Sequence, residues 1–505
     1  MHNKRSFYNI AVGIGSQMLS IALGIVIPRL FLTSFGSEMN GFINLITQIM
    51  AYFALLESGV GAASLQALYG PVGKADKENI SEILTATGSY YKKTGFFYFL
   101  SVFCLAIIYP LAIHSTIPPF TMAIIIIMNG LPGAISYFFQ GKYIILLKAE
   151  GKNYVITAIL SIVSTTINIT RILLLMLGFH IIVIQAVYLI FNLVKILYYW
   201  LYLNKHYKWI NPKAKPNFNA INQKNSAFIA QFCELIFKNA ATLILSIFCN
   251  LKVVSVYAMY TLIFSIIITA LDYISQGFSF IMGQTFNNDR KRFVVLHDLY
   301  ESYRTALIFA LYNIAYIFIL PFMKLYTEGI TDINYLDPKI PFLFVIFHLL
   351  AGARTCSADL INYAQHFKLT QTRCIIEAVI NIVTSVILVN VLGIYGVLIG
   401  TILALVYRSN DMIIYANKRI LNRSPWITYK RVISNTVIFV VVTYITSLFK
   451  WNLDSYFNIV KYAAISGIII LVVYFIVASA VNPNSFIFLK NYIISFLKSK
   501  KIIKE

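Results

Sequence analysis

The sequence predicts an all-α integral membrane protein of about fourteen transmembrane helices, arranged as two pseudo-symmetric six-helix lobes plus two C-terminal helices. Three observations predict it. Apolar stretches of roughly twenty residues recur from end to end, as a hydrocarbon core about 30 Å thick requires. Nearly every basic cluster falls in alternate gaps between those stretches. Segments of the first half recur, in order, in the second. Backbone polar groups in lipid must be satisfied internally, so the stretches are helices. Hydrophobic residues make up 59% of the 505 residues and charged ones 12%, against about a quarter charged in soluble domains. A soluble fold is excluded.

Helices are expected near 7–31, 39–64, 94–116, 119–147, 154–177, 179–203, 225–249, 253–283, 304–326, 340–366, 372–392, 394–417, 432–450 and 459–480. The first runs from about Tyr8 to Phe31. It is too long for a removed signal peptide and lacks a small-residue cleavage site. One set of gaps holds Lys4 and Arg5; Lys74, Lys77, Lys92 and Lys93; Lys148 and Lys152; Lys205, Lys208, Lys213, Lys215 and Lys224; Arg290, Lys291 and Arg292; Lys368; Lys418, Arg419, Arg423 and Lys430; and Lys498, Lys500, Lys501 and Lys504. The other set holds little beyond Lys252, Lys324, Lys339, Lys450 and Lys461. By the positive-inside rule both termini are cytoplasmic, which requires an even number of spans.

The formal net charge of +22 would point to nucleic acid in a soluble protein. Here the basic residues belong to loops facing an anionic membrane leaflet, and no nucleic-acid partner is expected. Cys104, Cys233, Cys249, Cys356 and Cys374 all lie in apolar segments. Their odd number and spacing suit neither zinc nor a disulfide framework, so they read as packing residues.

The repeat sets the domain organisation. Residues 1–203 form an N-terminal six-helix lobe, 204–224 a cytoplasmic connector with Pro212 and Pro216, 225–417 a C-terminal six-helix lobe, and 418–505 two further helices with a basic tail. SFGSEMNGFINLITQIMAYFALLESG, with Glu57, corresponds to CNLKVVSVYAMYTLIFSIIITALDYISQG, with Asp272, at an offset of about 215 residues. AILSIVSTTINITRILLLMLGFH corresponds to EAVINIVTSVILVNVLGIYG, and each ends at a glycine before a tight turn, Gly178 and Gly393. Repeats of six spans are typical of transporter folds, with the substrate at the repeat interface.

Several spans carry polar stripes at helical spacing. These are Thr157, Ser161, Thr165, Asn168 and Arg171; Gln231, Glu234, Lys238, Thr242 and Ser246; Thr261, Ser265, Asp272 and Gln276; His348, Thr355, Asp359, Asn362 and His366; and Glu377, Asn381 and Thr384. Charge inside a span is expensive and normally faces a cavity or a partner. The basic residues at membrane depth are Arg29, Arg171, Lys195, Lys238, Arg354 and Arg408. Arg408 lies near Asp411 and reads as paired or snorkelling, and Lys195 also has room to snorkel. Lys238 either pairs with Glu234 at i, i+4 or faces the cavity. Arg29, after the kink expected at Pro28, either snorkels or contacts substrate. Arg354 has no obvious local partner. The substrate-binding candidates are Arg29, Arg171, Lys238 and Arg354. Glu57, Asp272 and Asp359 are candidates for ion coupling or gating. His180, His348 and His366 read as packing or interface residues. No metal-site spacing, Walker A pattern or nucleophile elbow is present, and no cofactor is expected.

The run VIPRLFLTSFGSEMNGFINLITQIMAYFALLESGVGAAS resembles the opening of the Wzx-like flippases, the polysaccharide transporter family of the multidrug/oligosaccharidyl-lipid/polysaccharide exporter superfamily. The carriers of the resemblance are Arg29 to Gly36, Asn40–Gly41 and Glu57 to Gly59. The second half lacks the arginine and paired glycines, so no site carries over there. The resemblance implies a non-enzymatic flippase in the cytoplasmic membrane. It would move undecaprenyl-diphosphate-linked oligosaccharide from the inner to the outer leaflet for surface polymers such as exopolysaccharide or O-antigen, with Arg29 in the family-like cationic position. Partners implied are the lipid-linked oligosaccharide, membrane lipid, a proton or sodium ion, and a polysaccharide polymerase. Two alternatives stay open: a cation-coupled drug or metabolite antiporter of the same superfamily, and a membrane-embedded polysaccharide polymerase or ligase. Spans thirteen and fourteen and the cationic residues favour the flippase. The longest outer gap, about 327–339, is short for a catalytic loop.

Overall fold

The structure, a computed structural model, describes the backbone of residues 2–113, 115–221 and 224–502. Side chains are described for 23–55, 57, 59–113, 115–221, 232–233, 235–275, 277–279, 281–286, 288–366, 369–491 and 494. Gln231, Glu234 and Gln276 of the expected stripes fall outside these.

The described residues form helices and turns with no strand. In order they are α1 His2–Gly73, α2 Lys77–Ala112, α3 Pro119–Phe139, α4 Gly141–Ala149, α5 Asn153–Met176, α6 Ile181–His206, α7 Lys224–Phe248, α8 Leu251–Asn288, α9 Arg290–Tyr326, α10 Lys339–Ala353, α11 Thr355–Tyr363, α12 Phe367–Leu392, α13 Ile394–Tyr415, α14 Trp426–Ser447, α15 Tyr456–Val481 and α16 Pro483–Ile502.

Large apolar side chains stand in the open, among them Leu111, Val391 and Phe457 at 80%, 82% and 75% exposure. Soluble proteins do not leave such surface uncovered; a bilayer covers it. Ten helices among the described residues are long and apolar enough to cross a membrane, or up to eleven if a bent pair counts as one span. The chain is a multi-pass membrane protein. Of the other expected spans, 7–31 and 39–64 run together in α1, and α7 contributes a shorter apolar helix, Leu235–Phe248. The span near 432–450 falls in α14, which has Lys430 and Arg431 near its start.

Contacts divide the chain into two compact units, residues 1–259 with 329–333, and 260–328 with 334–505. The boundary falls inside α8, and the segment 204–224 lies within the first unit.

In the first unit α1 breaks at Gly36, whose φ of 78° breaks the helical run. Ser37 restarts the helix, with its N–H and hydroxyl donating to the Asp332 carboxylate at 3.1 and 2.7 Å. Glu38 accepts from the Ser115 hydroxyl at 2.7 Å and from the Thr116 N–H at 3.0 Å. Asp76 caps α2. Gly130 and Gly133 let α3 approach Val102 and Tyr98 of α2. A core of Leu68, Ile83, Tyr91, Leu146 and Tyr199 fixes α1, α2, α4 and α6 at one end.

In the second unit α12 and α13 form a close hairpin about Gly393, which has φ 55°. Gly396 and Gly400 face α12 so closely that a Cβ on either would lie 2.3 Å from the Leu388 carbonyl oxygen or 2.4 Å from Ser385 Oγ. This is small-xxx-small packing, which replaces the hydrophobic drive that lipid removes. Asn381 donates to Thr401 across the same hairpin at 3.1 Å. Asn313 of α9 donates to the Phe439 carbonyl of α14 at 3.0 Å.

Candidate functional site

Each unit holds polar and charged side chains in its interior. In the first unit, Glu57, Gly61, Tyr91, Ser136, Tyr137 and Lys148 help line a cavity of about 450 Å³. Glu57 hydrogen-bonds Tyr91 and is attracted by Lys148. Elsewhere in this unit, Arg171 Nη2 donates to Gln185 Oε1 of α6 at 3.1 Å. Its guanidinium lies 4.9 Å over the Tyr188 ring, and its Nε is buried with no hydrogen-bond partner. Lys195 Nζ donates to Asn192 Oδ1 at 2.7 Å. Arg29 is half-buried one residue after Pro28, and its carbonyl accepts from Thr33 Oγ1 at 3.1 Å. Lys238 of α7 is exposed.

The motif Asn40–Gly41 has a packing role. Asn40 Nδ2 donates to Ser255 Oγ at 2.7 Å, and Gly41 lies against the Leu251 backbone.

The second unit holds an ion-pair chain. Arg354, at the break between α10 and α11, pairs with Glu377 Oε1 of α12 at 2.5 Å. Glu377 Oε2 lies 3.4 Å from Arg408 Nε, an ion pair without hydrogen-bond alignment. Arg408 Nη1 meets Asp411 Oδ2 at 2.6 Å, and Arg373 meets Asp411 Oδ1 at 2.6 Å. Arg354 has no obvious partner close by in the sequence; its carboxylate stands on another helix, 23 residues on. Arg408 is paired with Asp411, as the sequence spacing foretells.

Asp272 is exposed and lines a cavity of about 100 Å³ with Arg304, Tyr312, His348 and Thr355. Asp359 interacts electrostatically with Arg304 and Asp272. His348 is buried and stacks on Tyr312 with centroids 5.1 Å apart. His366 is within 3.0 Å of the Tyr415 hydroxyl, and His180 accepts from the Ile182 N–H at 3.4 Å.

Two groupings escaped sequence reasoning. Arg304 sits at the edge of an expected span, where a boundary drawn at its own position hid it. The other is a cluster on α9. His297, Asp298 and Glu301, whose spacing in the sequence does not read as a metal site, bring ligand atoms within 4.8 Å of one another. Both carboxylates are already paired. Arg423 meets Asp298 at 2.5 Å and Glu301 at 3.2 Å; Arg431 meets Asp298 at 2.8 Å and also bonds Glu301. Two guanidiniums at that distance repel a metal cation, so the cluster reads as a latch holding α14 to α9.

No family model matches the chain, and no curated protein matches it. Among solved structures it is similar to the lipid II flippase MurJ in an inward closed conformation, with a TM-score of 0.71 and 16% identity over 93% of this chain and 99% of that one. It is also similar to a multidrug resistance MATE family transporter of the MOP superfamily, inward-facing, with a TM-score of 0.61 and 13% identity over 80% and 95%. A MOP superfamily transporter from Pyrococcus furiosus gives 0.60 and 13% over 81% and 93%. The chain therefore has an all-helical fold of the MurJ and MATE type.

Proposed function

We propose that this protein is a flippase that carries an undecaprenyl-diphosphate-linked oligosaccharide from the inner to the outer leaflet of the cytoplasmic membrane, in the synthesis of a surface polysaccharide. The observation that carries the choice is coverage. The MurJ structure matches 93% of this chain, while the MATE structures match 80% to 83%. The uncovered remainder is about the size of segment 418–505, the two helices beyond the twofold repeat.

The chemistry agrees. Arg29, Arg171 and Arg354 are the guanidiniums that would grip diphosphate oxygens, and Lys238 adds a point charge. Arg354 binds phosphate only by releasing Glu377, which makes its engagement an exchange of one anion for another. Tyr137, half-buried at the first unit's cavity, supplies a face for a sugar ring. Glu57, Asp272 and Asp359 are the carboxylates for coupling or gating, with a proton or sodium ion as partner. The basic loops and both termini face the cytoplasm, and a polysaccharide polymerase consumes the product. The reading has no enzymatic step.

Energy is available without ATP. Each charge crossing 100 mV is worth about 2.3 kcal/mol, so export of a diphosphate with about two charges from a negative interior gains up to roughly 5 kcal/mol. An antiporter of the same fold is the competing reading. Deletion in the native cell tests between them. Lipid-linked repeat units should accumulate on the cytoplasmic face of the membrane. Normal surface polymer together with raised drug sensitivity would favour the antiporter.

A further inference from the structure

Asp272 and Asp359, two acids expected to couple an ion, share their surroundings with a third charge. Asp272 on α8 and Arg304 on α9 line the same 100 Å³ cavity. Asp359 on α11 feels both of them. Arg304 is only 6% exposed, and three groups hold it in place. Its Nε donates to Ser275 Oγ of α8 at 2.9 Å. Its guanidinium lies 5.6 Å over the Tyr300 ring. It hydrogen-bonds Cys356 of α11. Its Nη1 is buried with no hydrogen-bond partner.

Two carboxylates at membrane depth repel each other and call for a positive partner. A transporter can meet that need with a bound metal cation, a proton or a fixed side chain. A guanidinium does not lose its proton in a protein, so Arg304 is a permanent charge. Sodium, like other hard cations, needs a shell of oxygen ligands. Arg304 offers only donors and brings like charge to the same small space. Besides Arg304 the cavity is bordered by Asp272, by Tyr312 and Thr355 and by buried His348, so it is the fixed positive charge that weighs against a metal cation there.

We propose that Arg304 is the resident counter-cation of Asp272 and Asp359, and that this pair does not bind sodium. One fixed positive charge then stands against two carboxylates. The proposal deepens the ion-coupling part of the flippase reading and rests on it for its meaning in transport. Its test does not require transport.

The test is thermal unfolding of the full-length protein in detergent, in about 0.15 M sodium chloride against choline chloride at the same ionic strength. Wild type should unfold at the same temperature in both salts. Arg304→Gln should gain a sodium-specific rise of about 2 °C or more, since a ligand that binds the native state raises the midpoint. The double variant Arg304→Gln/Asp359→Asn should lose that rise. A sodium-specific rise in wild type that Asp359→Asn abolishes would overturn the proposal, as would a folded Arg304→Gln that ignores sodium. If Arg304→Gln does not fold, wild type and Asp359→Asn decide. Equal responses to sodium in the two support the proposal, and a response confined to wild type contradicts it. A failure of the flippase reading would show separately, as absent lipid transport with these unfolding results unchanged.

Discussion

Asn40 and Ser255 are hydrogen-bonded at 2.7 Å and stand 215 residues apart, the offset of the internal repeat. The contact ties α1 to the start of α8. It also gives the Asn–Gly motif a physical reason. The neighbour Gly41 lies so close to α8 that a Cβ would sit 1.8 Å from the Leu251 carbonyl oxygen.

Gly41→Ala should therefore destabilise the protein by about 1–3 kcal/mol or more through overpacking. Gly277→Ala, where nothing lies within 4 Å of the new Cβ, is the control and should leave the unfolding midpoint unchanged or slightly raised. Thermal unfolding in detergent reads both. Equal midpoints for the two variants would remove the packing explanation of the motif.

The chain from Arg354 through Glu377, Arg408 and Asp411 to Arg373 gives a graded expectation. Glu377→Gln removes the carboxylate that stands between Arg354 and the 1% exposed Arg408, leaving Asp411 as the acid paired with Arg408, and breaking a buried pair costs about 3–5 kcal/mol. Arg373, at 36% side-chain exposure, should cost within about 1 kcal/mol when changed to alanine. Denaturant unfolding of the two variants should rank them in that order; the reverse ranking would show that the chain does not hold α10, α12 and α13 together.

Orientation is open to direct labelling. Single cysteines placed at exposed Lys74 and Lys213 in a cysteine-free background should react with an impermeant maleimide only after permeabilisation. One at exposed Glu328 should react in intact cells. Glu328 is a better outer probe than Asp332, whose carboxylate holds Ser37. Labelling of Lys213 from outside would invert the topology.

The class of fold was legible because lipid imposes length, composition and charge asymmetry on every span, and these survive in a single sequence. The tight turns at Gly178 and Gly393 were legible too, and both have positive φ, 72° and 55°. Gly396 and Gly400 have the membrane packing spacing, but spacing alone does not say which helix they face; the structure sets them against α12. The partners of the cations were the hidden part. Arg171 with Gln185, Arg354 with Glu377, and Arg431 with Asp298 and Glu301 join different helices. Local spacing carries no signal for such pairs. Arg304 was lost for another reason: a charged residue at a span boundary looks like a loop residue until helix length is known, and α9 extends 14 residues N-terminal to it.

The central claim is transport of a lipid diphosphate by these cations, and reconstituted vesicles test it most directly. Fluorescent undecaprenyl-diphosphate oligosaccharide is loaded on one face, and its arrival on the other is followed under an imposed potential. Wild type should flip the lipid well above protein-free vesicles, and faster when the loaded face is negative. Arg29→Gln and Lys238→Gln should lose at least tenfold in rate, which corresponds to about 1.4 kcal/mol, while remaining folded. Flipping no faster than in protein-free vesicles, or undiminished flipping by both variants, would contradict the claim.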